Sequence, residues 1–96
     1  MTGFYFREIA ADVPSSQVPR TEFEGDGLPL VNLLVMTGLA LSRGDARRLI
    51  EGGGIYINNV RADDATQAVS LGQGIEGQFV LLRKGKKNYH LVRMVW

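Results

Sequence analysis

The chain has 96 residues, 45% of them hydrophobic and 22% charged, with 12 Gly and a formal net charge of +1. Those values describe one globular domain with a small core and many tight turns, not a disordered chain. Cys is absent, so disulfides and thiolate metal sites are excluded, which suits a reducing cytoplasm. No apolar run approaches the roughly 20 residues of a membrane span, and the start, MTGFYFREIAADVP, has no continuous apolar stretch of the signal-peptide kind.

The charge is unevenly spread. Residues 1–42 hold two bases and five acids, a net −3, whereas residues 43–96 hold nine bases and five acids, a net +4. A basic second half on a near-neutral chain suggests a local anionic partner, with a merely solvated basic surface as the alternative.

In chain order, residues 1–27 read as a linker or amino-terminal extension. Pro14, Ser15, Ser16 and Pro19 have linker chemistry, Gly25-Asp26-Gly27 has loop chemistry, and Phe4, Tyr5 and Phe6 could form a short strand or cover an apolar patch. The compact domain is expected over 28–96. PLVNLLVM (29–36) predicts a short helix: Pro29 suits a first turn, Leu30, Leu33 and Leu34 make one apolar face, and Gly38 can end it in a left-handed conformation. SRGDARRLIEG (42–52) predicts a second helix with Ser42 as N-cap, Asp45 approximating a capping box, and Ala46, Leu49 and Ile50 as the buried stripe. Ile55, Tyr56 and Ile57 are strand formers, and Asn58-Asn59 can take the positive φ angles of a two-residue hairpin turn before Val60 and Arg61 return. Residues 62–77 are polar and Gly-rich, with Val69, Leu71 and Ile75 as possible anchors. QFVLLR (78–83) and NYHLVRMV (88–95) form a hairpin with the basic tip Lys84-Gly85-Lys86-Lys87. The expected class is α+β: two short helices packed on a small, mostly antiparallel sheet.

Catalytic chemistry finds little support. The one histidine, His90, sits in an alternating strand pattern, where a surface or RNA-contacting role is expected over catalysis. Asp63-Asp64 lacks a third metal ligand and reads as loop chemistry. Gly52-Gly53-Gly54 follows a helix, whereas phosphate-binding glycine loops precede one.

Two basic groups remain. Arg43 and Arg47 share a helix face, Arg48 lies about 100° further round, and Ser42 opens the helix. Helix start plus guanidinium groups can clamp phosphate, or the arginines can be a solvated face paired with Asp45 and Glu51. The second group is Arg83, Lys84, Lys86 and Lys87, followed by Asn88, Tyr89, His90 and Arg93. There, bases run into polar and aromatic groups of the kind that touch a nucleotide, although Lys on an exposed hairpin also discourages edge aggregation.

PLVNLLVMTGLALSRGDARRLIEGGGIYINNV resembles the S-four-type RNA-binding module (the αL motif), in which Ser-Arg and Ala-Arg-Arg-Leu-Ile lie on the second helix before a hairpin; Asn59 stands where Gly is commoner. With the later GKKNYHLVR, residues 28–96 resemble the carboxy-terminal domain of bacterial tyrosyl-tRNA synthetases. That family joins tyrosine to tRNA-Tyr with ATP, and Mg, through a tyrosyl-adenylate. Its catalytic domain carries HIGH and KMSKS strings, which this sequence lacks. The resemblance therefore implies a tRNA-binding domain with no catalytic site and no cofactor of its own. It places Ser42, Arg43, Arg47 and Arg48 on the RNA-facing helix surface and Lys84, Lys86, Lys87, Asn88 and Tyr89 on the hairpin beside it. The expected partners are tRNA-Tyr and a catalytic domain in the same polypeptide; the isolated domain is expected to be monomeric and the parent a homodimer. Two other readings stay open: a stand-alone ribosomal-RNA-binding module, and a protein-interaction domain anchored by Phe4, Tyr5, Phe6 and Trp96.

Overall fold

A computed structural model describes residues 14–75 and 78–95 of the chain. Two helices, α1 (Leu30–Thr37) and α2 (Arg43–Glu51), cover one face of a five-stranded sheet. The strands are β1 (Ser15–Pro19), β3 (Ile55–Ile57), β4 (Val60–Arg61), β6 (Phe79–Lys84) and β7 (Asn88–Val95), in the spatial order β1-β7-β6-β3-β4. Only the β1–β7 pair is parallel; the other three are antiparallel. A separate two-stranded ribbon pairs β2 (Leu28–Pro29) with β5 (Ala68–Val69).

The helices form as their spacing requires. Leu30, Leu33 and Leu34 of α1 and Ala46 and Ile50 of α2 are buried together against Ile55, Ile57, Val80, Leu82 and Val92 of the sheet. Fully burying a side chain of this size contributes about 1.5–3 kcal/mol, so this shared layer is the main source of cohesion. Gly38 ends α1 at φ 82°, and the N–H groups of Gly38 and Ala40 close onto the Val35 and Leu34 carbonyls. Asn58 and Asn59 take φ 50° and 68°, the paired positive values of a type I′ turn. Asn58 is further held by its side chain, which accepts from the Leu81 N–H at 2.8 Å and donates to the Gln73 carbonyl at 2.6 Å.

One stretch departs from the sequence expectation. Residues 15–23 are not a linker: β1 completes the sheet edge in register with β7, from Ser15 opposite Leu91 to Pro19 opposite Val95. Val18 and Phe23 are 2% and 1% exposed. The compact unit therefore begins before residue 28. Serine and proline suggested a loop, yet β1 is an edge strand, where proline is tolerated. Its pairing partner lies more than 70 residues away and leaves no local mark. Residues 62–75 are anchored at two of the positions expected: Val69 is fully buried and Leu71 packs against the core, while Ser70 and Gln73 form a reciprocal capping box around a 3-10 turn at Leu71–Gln73. Phe4, Tyr5, Phe6 and Trp96, the candidate interface anchors, lie outside the described residues.

Candidate nucleic-acid interface

At the start of α2 the backbone is held by two short bonds. Ser42 Oγ accepts from the Asp45 N–H at 3.1 Å, and Asp45 Oδ2 accepts from the Leu41 N–H at 3.1 Å. The box thus closes on Leu41, one residue before the cap. With Ala46 and Ile50 turned inward, Arg43, Arg47 and Arg48 stand exposed on the outer side. Of the carboxylate pairings expected on a self-neutralised helix, the described residues show only Arg48 with Asp45, at 3.9 Å and with the arginine side chain 74% exposed. A pair so long and so solvated holds little of the charge, so the helix presents its guanidinium groups to solvent.

The β6–β7 hairpin is tied to the helix layer by two contacts, one before α2 and one after it. Lys84 Nζ donates to the Leu39 carbonyl at 3.2 Å, in the turn leading into α2. The Gly85 N–H donates to the Gly54 carbonyl at 2.7 Å, just past the end of α2. A groove of about 490 Å³ opens between hairpin and turn, lined by Thr37, Gly38, Leu39, Lys84, Lys87 and Asn88 among others. Lys86, Lys87 and Asn88 are exposed at the tip. The hairpin tip is thus fixed against the two turns that flank α2.

Strand alternation splits the remaining candidates. His90 is buried, 8% exposed, with Nε2 2.7 Å from Ser16 Oγ on the neighbouring strand. Its removal from water holds its pKa below the ordinary 6.5. It is a neutral, bonded residue under the helices and not the surface or RNA-contacting histidine expected; a polar residue in an alternating strand gave no sign of which face it would take. Arg83 and Tyr89 point to the opposite face of the sheet, where the Arg83 guanidinium lies 3.9 Å from the Tyr56 ring centre and 5.9 Å from that of Tyr89. Arg93 also belongs to that face, stacked 5.7 Å from the Phe79 ring centre. Five residues along the strand from Asn88, it stands about 16 Å from the tip and does not join the tip cluster.

The sequence reading missed Leu41, 92% exposed beside Arg43, and Met36, 48% exposed at the end of α1. An apolar residue before the N-cap normally packs on the fourth helical position. Here that position is the small, buried Ala46, and this was the available signal that Leu41 would be left over. No group of three His, Cys, Asp or Glu among the described residues could hold a metal ion, and no described helix is long and apolar enough to cross a membrane.

Comparison with known proteins places this geometry. Residues 8–92 match the family model of the tyrosine–tRNA ligase SYY-like C-terminal domain. The tyrosine–tRNA ligase of Roseiflexus castenholzii is 52% identical over 88 residues, covering 92% of this chain and 21% of that protein. The enzyme of Opitutus terrae is 44% identical over 90 residues, covering 94% and 21%. A solution structure of a tyrosyl-tRNA synthetase C-terminal domain superposes with a TM-score of 0.66 at 39% identity, covering 88% of this chain and 81% of that one. The chain spans about a fifth of the length of the curated relatives it matches. With a family model matched over most of its length, and a solved domain of the same fold and clear sequence identity, this chain belongs to the tyrosyl-tRNA synthetase C-terminal domain family.

Proposed function

We propose that this chain is the tRNA-gripping end of a tyrosine–tRNA ligase. It binds tRNA-Tyr, while the joining of tyrosine to that tRNA, with ATP and Mg, is carried out by a catalytic domain elsewhere in the polypeptide, in the cytoplasm. The observation that supports this most is the exposed, largely unneutralised positive charge on two elements held together in the fold. Arg43, Arg47 and Arg48 on α2 and Lys86, Lys87 and Asn88 on the hairpin are all exposed, and the Lys84–Leu39 and Gly85–Gly54 contacts fix the hairpin against the turns on either side of α2. Each phosphate neutralised there releases condensed counterions. Base edges in an A-form helix lie deep in a narrow groove, so such a surface reads backbone and shape more than sequence. Ser42 acts by fixing the helix start. The domain works as a monomeric hand on a dimeric enzyme, raising the effective concentration of tRNA at the distant active site.

The test is a titration of tRNA-Tyr against the chain at several salt concentrations. The expected result is an affinity that falls steeply as salt rises. Arg47→Ala combined with Lys86→Ala should weaken binding about uniformly across RNAs by roughly 10–100-fold, with a shallower salt slope. Salt-insensitive binding, or none at low salt, ends the proposal. The relatives named above are tyrosine–tRNA ligases, and no observation here favours the stand-alone ribosomal-RNA reading or the protein-interaction reading.

A further inference from the structure

The face of the sheet turned away from the helices carries a row of side chains that the helix-and-hairpin surface does not use. Register sets Arg61 opposite Tyr56, Tyr56 opposite Arg83, and Arg83 opposite Tyr89, across four adjacent strands. The residue pairs alternate between the two faces, so all four stand on the same side. Arg83 is the unusual member. Its guanidinium lies over the Tyr56 ring at 3.9 Å with Tyr89 beyond at 5.9 Å, and its Nε is buried without a hydrogen-bond partner. Neither Arg83 nor Arg61 has a carboxylate partner among the described residues. No acidic residue occupies this face of the described strands. A guanidinium stacked on a ring, with no carboxylate partner among the described residues, keeps its terminal N–H groups aimed in one direction at little entropic cost. That is the receptor geometry for an oxyanion taken in bidentate fashion.

We propose that this row is a second RNA contact: a backbone-phosphate site centred on Arg83, with Arg61 as its neighbouring charge and Tyr56 and Tyr89 as the walls that orient it. The proposal rests on the RNA-binding reading above and extends it. Arg83 immediately precedes Lys84, and the row lies one residue from the hairpin tip. The two contacts therefore lie on opposite faces of one thin edge, and an RNA strand passing round the tip would meet both. The occupant is a phosphodiester of the same bound RNA and not an acidic protein segment, because Arg83 directly precedes the basic tip at Lys84 and Tyr89 directly follows it at Asn88.

Arg83→Gln keeps a planar, hydrogen-bonding end and removes the charge. Arg61→Gln changes an exposed residue outside the sheet core and guards against the first variant folding poorly. Both would be titrated with tRNA-Tyr across salt, with thermal melting measured alongside. The expected result is a roughly 5–20-fold affinity loss for Arg83→Gln and a smaller loss for Arg61→Gln. The slope of log K against log salt should be shallower by about 0.7–0.9 for Arg83→Gln, the value of one lost phosphate contact. In the unmodified chain, the Arg83 Nε–H resonance and the Tyr56 and Tyr89 ring resonances should move on adding RNA. Unchanged affinity and slope in Arg61→Gln, together with stationary Arg83 Nε–H and ring signals while the α2 amides shift, would overturn the second site and leave the first intact. An unmodified chain that binds no RNA at all would instead sink the reading on which both rest. A lower melting temperature in Arg83→Gln with unchanged affinity would make the stack structural only, which also overturns the proposal.

Discussion

The two faces of the five-stranded sheet have different chemistry although their residues alternate along the same strands. The face under the helices carries Ile55, Ile57, Val80, Leu82, His90 and Val92, all buried. The other carries Tyr56, Phe79, Arg83, Tyr89 and Arg93, with cations stacked on rings around a buried Leu81–Leu91 pair. Leu82 and Arg83, or Tyr89 and His90, are chain neighbours with opposite fates. A cluster in sequence is therefore not a cluster in space, because a period of two deals successive residues to opposite sides. Arg83 through Arg93 read as one basic patch along the chain; folding separates it into a buried group, a tip and a far-face row.

The contrast is broken most severely at Leu82, which is fully buried among the helices and pairs with both Ile57 and His90. Leu82→Ala should cost about 2–5 kcal/mol, from lost transfer energy and a cavity, a large fraction of the 5–15 kcal/mol that holds a domain of this kind together. Urea unfolding checks it. Val60→Ala, at a position 69% exposed on the edge strand β4, should stay within about 0.5 kcal/mol. Equal losses at the two sites would mean that the helix layer is not the seat of stability.

The second prediction concerns His90. Its folded pKa lies below the ordinary 6.5 because burial disfavours the charged ring. The unfolded chain then binds a proton that the folded chain resists. Stability is fully present above about pH 6.5 and is lost progressively as pH falls through 6.5 toward the lower folded value. Lys84 and Lys87 line the same groove as His90, and among the described residues no acidic one lines it to stabilise a charged ring. Melting temperature should drop on acidification from pH 7.5 to 5.5, and His90→Gln should flatten that drop. Asp64 does not confuse the reading. Its carboxyl is held below the ordinary 3.8 by the Thr66 hydroxyl and N–H, so its window opens only at lower pH. A histidine variant with the full acid response would place the sensitivity elsewhere.

These outcomes also bear on what could be read in advance. Both helices, the Ser42 cap, the Gly38 stop and both hairpins were legible because their causes are local: apolar residues at i, i+3 and i+4, a capping oxygen, a residue free to take positive φ. The α2 arginines were legible for the same reason, since a helix with Ala46 and Ile50 inward must turn Arg43 and Arg47 outward. What failed was non-local. β1 exists because β7 offers it a parallel edge, and Pro14, Ser15 and Ser16 carry no trace of that. His90 is buried because Ser16 sits within 2.7 Å across that same pair, so the two misreadings have one origin. The strand face taken by Arg83 was not legible either, because Phe79, Val80, Leu81 and Leu82 form an unbroken apolar run that shows no alternation.

The smallest expected effect tests the turn that joins β3 to β4 at the sheet's edge. Asn58 and Asn59 both hold positive φ, but for different reasons. Asn58 uses its side chain twice, to Leu81 and to Gln73, and so anchors the strand that bears Arg83. Asn59 is exposed and has no comparable bond. Gly adopts φ 68° without the steric penalty that even Asn retains. Asn59→Gly should therefore raise stability by about 0.3–0.5 kcal/mol, read as a small upward shift in the denaturation midpoint at unchanged slope. Asn58→Gly gains the same backbone freedom yet leaves the Leu81 N–H without its partner, an omission worth about 1–3 kcal/mol when such a group is buried. Opposite signs for two adjacent, chemically identical residues would show that the far-face row is held in register by this turn; matching signs would show that the turn contributes only its backbone.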